Sequence, residues 1–209
     1  MNVEDRVSRK IISIKPSASI KIGEKIIELK GKGADIIDLS WGEPYFDTPN
    51  IVKEFAKNAL DNNFTHYTNS RGITELRETI SEKLRRENKI TYDPNTEILI
   101  TPGAKQAIFY AVYALVEDGA EVLIPEPYWL SYRDILELAG GKVVPIETKE
   151  ENYFKPRYED IESEISERTK AIIINSPNNP TGMILDKNNV EDIAEIAKKH
   201  DLIVISDEI

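Results

Sequence analysis

Ala171-Ile-Ile-Ile-Asn-Ser-Pro-Asn-Asn-Pro-Thr-Gly182 and, after one helical segment, Leu202-Ile-Val-Ile-Ser-Asp-Glu-Ile209 decide the fold of this chain. Neither apolar run alternates with polar residues, so each reads as a strand buried on both faces, the signature of a parallel sheet covered by helices. Each run ends in a polar group, Asn179 just past the first and Asp207 just past the second. In open parallel α/β sheets, small ligands bind at those carboxyl ends.

Working outward, the same rhythm extends back to Glu97. Strands are expected at Glu97–Thr101, Glu121–Ile124, Lys142–Ile146, Ala171–Asn175 and Leu202–Ser206, and helices at Ala104–Glu117, Tyr128–Ala139, Tyr158–Ile165 and Asn188–His200. Strands alternating with helices of this length imply βαβ units. Upstream, Lys15-Pro-Ser-Ala opens a helix to about Leu29, ended by Gly31 and Gly33, and Asp35–Ser40 is a short strand candidate. Trp41–Pro49 is turn-rich. Ile51–Asn62 and Gly72–Asn88 carry apolar residues at helical spacing. The expected fold is α/β: an N-terminal arm plus an incomplete, mostly parallel sheet with helices on both faces. The division expected is an arm over residues 1–50 and a sheet domain over 51–209.

Composition narrows the function classes. With 27 Lys+Arg against 37 Asp+Glu the formal charge is -10 and no basic stripe stands out, which argues against nucleic acid. There is no cysteine, which excludes disulfides, thiolate metal sites and Cys nucleophiles. His66 and His200 lie too far apart in sequence to make a case for a metal, and none is expected. No apolar run reaches membrane-spanning length and the charged first ten residues lack the apolar core of a signal peptide, so a soluble cytoplasmic protein is expected.

Three segments could carry chemistry. Thr101-Pro-Gly-Ala-Lys-Gln follows a strand and opens a helix, where backbone N–H groups and the helix dipole suit an anion; taken alone, the segment reads better as an ordinary strand-to-helix turn. Trp129, in Pro127-Tyr-Trp, is either core or an indole laid against a flat ligand. In Ser176–Gly182, Pro180 holds Asn179 extended. Asp207 ends an apolar strand, and a carboxylate there needs a partner. A helix N-terminus, a lysine or a protonated ring nitrogen would each serve.

Taken in order, these pieces resemble the N-terminal half of the class I aminotransferases, the fold type I pyridoxal-phosphate enzymes, most closely the aspartate (aspartate/prephenate) aminotransferases. The resemblance runs through Lys15-Pro-Ser-Ala, Gly42-Glu-Pro-Tyr-Phe-Asp-Thr-Pro, His66-Tyr67, Gly72-Ile-Thr-Glu-Leu-Arg, Thr101-Pro-Gly-Ala-Lys-Gln-Ala, Pro127-Tyr-Trp, Asn175–Gly182 and Ser206-Asp-Glu-Ile. It implies that residues 1–50 include a small-domain segment and that 51–209 are part of the large domain that binds pyridoxal 5′-phosphate. It further implies that Gly103, Ala104 and Lys105 hold the cofactor phosphate, that Trp129 stacks on the pyridine ring, that Asn179 bonds the phenolic oxygen and that Asp207 pairs with the ring nitrogen. Tyr67 would reach the phosphate of a neighbouring subunit, implying a homodimer. Gly42 would meet the substrate α-carboxylate and Lys15 would lie near its distal carboxylate. The substrates implied are an aspartate- or glutamate-type amino acid and a 2-oxo acid.

The family's Schiff-base lysine lies beyond Asp207, and no lysine here matches its motif, so no catalytic residue is assigned and the chain by itself is expected to be inactive. Half of a split enzyme completed by a second chain, or a non-catalytic cofactor-binding remnant, are the alternatives. The family's seven-stranded sheet would leave Glu97–Thr101 without its neighbours and Leu202–Ser206 as a bare apolar edge.

Overall fold

A computed structural model describes residues 6–14, 18–39 and 42–209. Lys15, Ser40 and Trp41 lie outside the described residues. The chain falls into two compact units, Met1–Ile98 and Leu99–Ile209.

The first unit is helical. It contains α1 (Arg9–Ser13), α2 (Ala18–Gly31), α3 (Asn50–Asp61) and α4 (Thr74–Lys83), the last running into a π-helical turn over Leu84–Asn88. The expected strand at Asp35–Ser40 does not form: residues 34–39 are irregular, and Ile37 and Leu39 are exposed. A strand exists only through ladder partners, and among the described residues this segment has none. Arg77 of α4 is, among the described residues of this unit, the buried charge, 3% exposed. Its guanidinium donates to the Gly72 carbonyl at 3.2 Å, to Thr74 Oγ1 at 3.1 Å and to the Pro94 carbonyl. The Gly72-Ile-Thr-Glu-Leu-Arg motif thus folds its own arginine back onto its first residue and clasps the turn after the helix.

The second unit is a four-stranded, all-parallel sheet with helices on both faces. Its elements are α5 (Ala104–Leu115), β1 (Glu121–Glu126), α6 (Ser131–Ala139), β2 (Lys142–Glu147), α7 (Tyr158–Ser163), β3 (Thr169–Asn175), α8 (Lys187–Lys199) and β4 (Ile203–Asp207). The strand order is β2-β1-β3-β4. Alternation along the two central strands explains the layering, because successive side chains leave opposite faces. Val122, Ile124, Ala171 and Ile173 pack with Ile108 and Val112 of α5 and Tyr132, Ile135 and Leu136 of α6. Leu123, Ile172 and Ile174 pack with Ile146 of β2, Ile161 of α7 and Ile193 and Ile196 of α8. Neither face of β1 or β3 is spared, so their central stretches, Val122–Ile124 and Ala171–Ile174, are apolar throughout.

In this unit two departures from the sequence expectation go beyond end shifts of one or two residues. Glu97–Thr101 is irregular rather than a strand. Among the described residues every ladder joins β1 to β2, β1 to β3 or β3 to β4, and none reaches this segment. Helix α6 begins at Ser131 rather than Tyr128. The Glu126–Pro127 peptide is cis, Tyr128 is buried, and its hydroxyl accepts from Arg133 at 2.7 Å, so residues 128–130 form a packed turn ahead of the helix. Among the described residues the outer strand β4 pairs only with β3, and Ile203 and Val204 are exposed. At the other edge, β2 contains Pro145, which lacks a ladder donor and is tolerated at such a position. Among the described residues no helix is long and apolar enough to cross a membrane.

Candidate functional site

The carboxyl ends of β3 and β4 lie side by side: the final ladder pair is Asn175 with Asp207. Asn175, 6% exposed, ties this end together. Its Nδ2 donates to the Asp207 carbonyl at 2.9 Å, and its Oδ1 accepts from the Asn179 N–H at 2.6 Å. The Ser176 N–H reaches the same Asp207 carbonyl at 3.2 Å. Beyond it the loop closes on Asn178, whose Oδ1 accepts from the Thr181 N–H at 3.1 Å and the Thr181 hydroxyl at 2.8 Å. The Ser176–Pro177 and Asn179–Pro180 peptides are both cis. Asn179 itself is exposed, held from beneath by Asn175 rather than by its own packing.

Asp207 is half-buried and takes no cation within ion-pair distance among the described residues. Its partner is neutral: the Tyr132 hydroxyl donates to Oδ2 at 2.5 Å. Burial first, and then the bond to Asp207 and its negative charge, push the Tyr132 phenol well above the ordinary tyrosine range, so it serves as a donor. A lysine and a helix N-terminus, two of the partners open from sequence, are not what the carboxylate meets.

Tyr132 also packs edge-on against Trp129, with ring centroids 5.4 Å apart and planes at 90°. Trp129 is partly buried against the α5–α6 face of the sheet. Lys105 Nζ lies 4.9 Å from the centre of the Trp129 ring. Lys105 is in the first turn of α5, whose N-cap is Gly103 with φ 87° and ψ 164° and no side-chain cap bond. That backbone region is open to glycine and closed to most other residues. The first helical amide to find a carbonyl is Ala107, on Gly103 at 3.4 Å. The amides of Ala104, Lys105 and Gln106 precede the helix's own acceptors.

The structure therefore brings Gly103, Ala104, Lys105, Trp129, Asn179 and Asp207 onto one end of one unit, joined through Tyr132 and Asn175. Neither linking residue was singled out from sequence. The signal for Asn175 was a polar residue closing an isoleucine run; for Tyr132, 75 residues from Asp207, there was none. Gly42 and Tyr67 belong to the first unit, where both are exposed, and Lys15 lies outside the described residues. Among the described residues no group of three or more His, Asp or Glu side chains could hold a metal.

This donor set fits a phosphorylated, protonated heteroaromatic ring. Uncapped amides and an ammonium suit an anion, an indole suits a flat ring, and a carboxylate without a cation suits a ring N–H⁺. Comparison with known proteins points the same way. The sequence signature described as "Aminotransferase class I and II" matches residues 34–209. An aspartate aminotransferase of Pyrococcus abyssi is 49% identical over 185 residues, 88% of this chain and 48% of its own. An aromatic-amino-acid aminotransferase of Thermococcus litoralis is 46% identical over 185 residues, with the same 88% and 48% covered. The solved structure of the Thermus thermophilus aspartate aminotransferase with maleate superposes with a TM-score of 0.93 at 44% identity, covering 97% of this chain and 53% of that one. The chain spans about half the length of the curated relatives it matches.

Proposed function

Because the chain belongs to the class I and II aminotransferases, we propose that it carries the cofactor cradle of an enzyme that moves an amino group between an aspartate- or glutamate-type amino acid and a 2-oxo acid. The observation that carries this reading is the half-buried Asp207 carboxylate, matched with a neutral phenol and no cation among the described residues. Bound pyridoxal 5′-phosphate would supply the electron sink that stabilises a carbanion at the substrate Cα.

In this reading each group has one task. The amides following Gly103, with the Lys105 ammonium, hold the phosphate dianion. Trp129 covers one face of the ring and excludes water from it. The exposed Asn179 amide, fixed from below by Asn175, meets the phenolic oxygen. Asp207 keeps the ring nitrogen protonated, because an adjacent carboxylate favours the charged form in a site poor in water. A neutral asparagine at 207 would not.

Gly42 and Lys15 are proposed to meet the substrate's α- and distal carboxylates, with residues 1–50 as the arm that carries them and 51–209 as the cofactor-binding portion. Tyr67, exposed in the first unit, is proposed to reach the phosphate bound by a second copy, which makes the working form a homodimer. The similarity to aspartate and to aromatic aminotransferases is nearly equal, so the dicarboxylic preference rests on Lys15. An amino-donor panel on the complete enzyme tests it. Aspartate and glutamate are expected to lead, and tyrosine or alanine outpacing both would overturn the substrate assignment.

A further inference from the structure

We propose that Tyr132 is a positioning residue that fixes the Trp129 indole and the Asp207 carboxylate relative to each other, and so sets how tightly the cradle grips a protonated, flat heteroaromatic ring; this rests on the cofactor-cradle reading above. Tyr132 touches both groups at once. Its hydroxyl donates to Asp207 Oδ2 at 2.5 Å, and its ring meets the Trp129 ring at 90° and 5.4 Å. Its backbone N–H also reaches the Trp129 carbonyl at 3.1 Å, which ties the start of α6 to the indole's own residue. Tyr132 is 1% exposed and belongs to the α5–α6 cluster together with Ile135 and Leu136.

The consequence for Asp207 is orientation. A carboxylate at the end of an edge strand can turn about its last torsion, and water would compete for both oxygens. The phenol holds Oδ2, which leaves Oδ1 as the acceptor free of any described donor. A charge-assisted bond of this kind is stronger than a neutral one and constrains direction. Lysine or arginine in the same place would hold the carboxylate as firmly but would neutralise it, and the field that keeps a ring nitrogen protonated would be lost. A neutral donor orients the charge without cancelling it.

The test uses the 209-residue chain and pyridoxine 5′-phosphate, which has the ring and phosphate but no aldehyde to react with lysines. Affinity is read by tryptophan fluorescence, and ring-nitrogen protonation by ultraviolet absorbance across pH. Tyr132→Phe keeps the aromatic packing and deletes only the donor. It is expected to weaken pyridoxine phosphate binding about tenfold, to leave inorganic phosphate binding unchanged, and to lower the pH at which the bound ring loses its proton. In an Asp207→Asn background the same substitution is expected to have little further effect. Unchanged affinity in Tyr132→Phe, equal weakening toward inorganic phosphate, an unmoved or raised ring titration, or a full effect in the Asp207→Asn background would each overturn the proposal. If the unsubstituted chain fails to bind pyridoxine phosphate at all, the cradle reading fails and this inference goes with it. Binding with a silent Tyr132→Phe refutes the inference alone.

Discussion

Replacing Asn175 with alanine probes the joint between the two strand ends. The substitution removes the bond from Nδ2 to the Asp207 carbonyl and the bond from the Asn179 N–H to Oδ1, both at a residue 6% exposed. The Asp207 carbonyl keeps the Ser176 N–H as a donor at 3.2 Å, so its loss is limited to the net worth of one bond, about 1 kcal/mol. The Asn179 N–H loses its described acceptor, but Asn179 is exposed and water can take the acceptor's place, so this loss too is limited to about 1 kcal/mol. The expected total is about 2 kcal/mol. With a urea slope of about 1–3 kcal/mol per molar, the unfolding midpoint should fall by about 0.7–2 M. Asn175→Asp is the companion: it keeps an acceptor for Asn179 but sets a carboxylate against the Asp207 carbonyl, so it should not restore the loss. A midpoint within about 0.2 M of the unsubstituted chain for Asn175→Ala would refute the reasoning, as would full recovery in Asn175→Asp.

Two further outcomes follow from the second unit. Glu121, at the start of β1, accepts from the Ser166 hydroxyl at 2.5 Å and pairs with Arg168 at 2.6 Å, and these contacts hold its carboxyl below the usual range. A lowered folded-state value means that its stabilisation is present above the ordinary glutamate range and is lost as pH falls through the folded value; acid unfolding of Glu121→Gln should therefore be flatter than that of the unsubstituted chain, and an identical acid profile would contradict this. Gly140 follows α6 with φ 90°, and a Cβ there would sit 1.8 Å from Asp118 Oδ1. Gly140→Ala should lower stability by about 1–3 kcal/mol from backbone strain alone, read as a drop in melting temperature, whereas an unchanged melting temperature would show that the turn relaxes freely.

What could be read from the sequence follows from where the information sits. The Ile172–Ile174 run reports its own burial, since a strand covered on both faces needs no partner to be recognised, and the observed strand extends the expected one only by Thr169 and Lys170. Helix α8, expected over Asn188–His200, forms over Lys187–Lys199, opened by a capping box between Asp186 and Asn189. Glu97–Thr101 and Asp35–Ser40 have the composition of strands, but strand formation depends on ladders with other segments, and composition is silent on those. The start of α6 was misplaced because no Ser, Thr, Asp or Asn caps it; the buried Tyr128 and its bond to Arg133 set that boundary. At the site, Asn179 and Asp207 stood out as polar groups ending apolar runs. The residues that hold them, Asn175 and Tyr132, act through contacts 4 to 75 residues away, which periodicity does not encode.

The central claim is that Asp207 keeps a bound ring nitrogen charged, and the ultraviolet titration of pyridoxine 5′-phosphate bound to Asp207→Asn tests it most directly. The ring on the unsubstituted chain is predicted to keep its proton to a higher pH than the free ligand, and the ring on Asp207→Asn to lose that advantage while the phosphate is still held at the start of α5. A bound ring that titrates like the free ligand on the unsubstituted chain, or one that keeps its proton just as well opposite asparagine, would contradict the account.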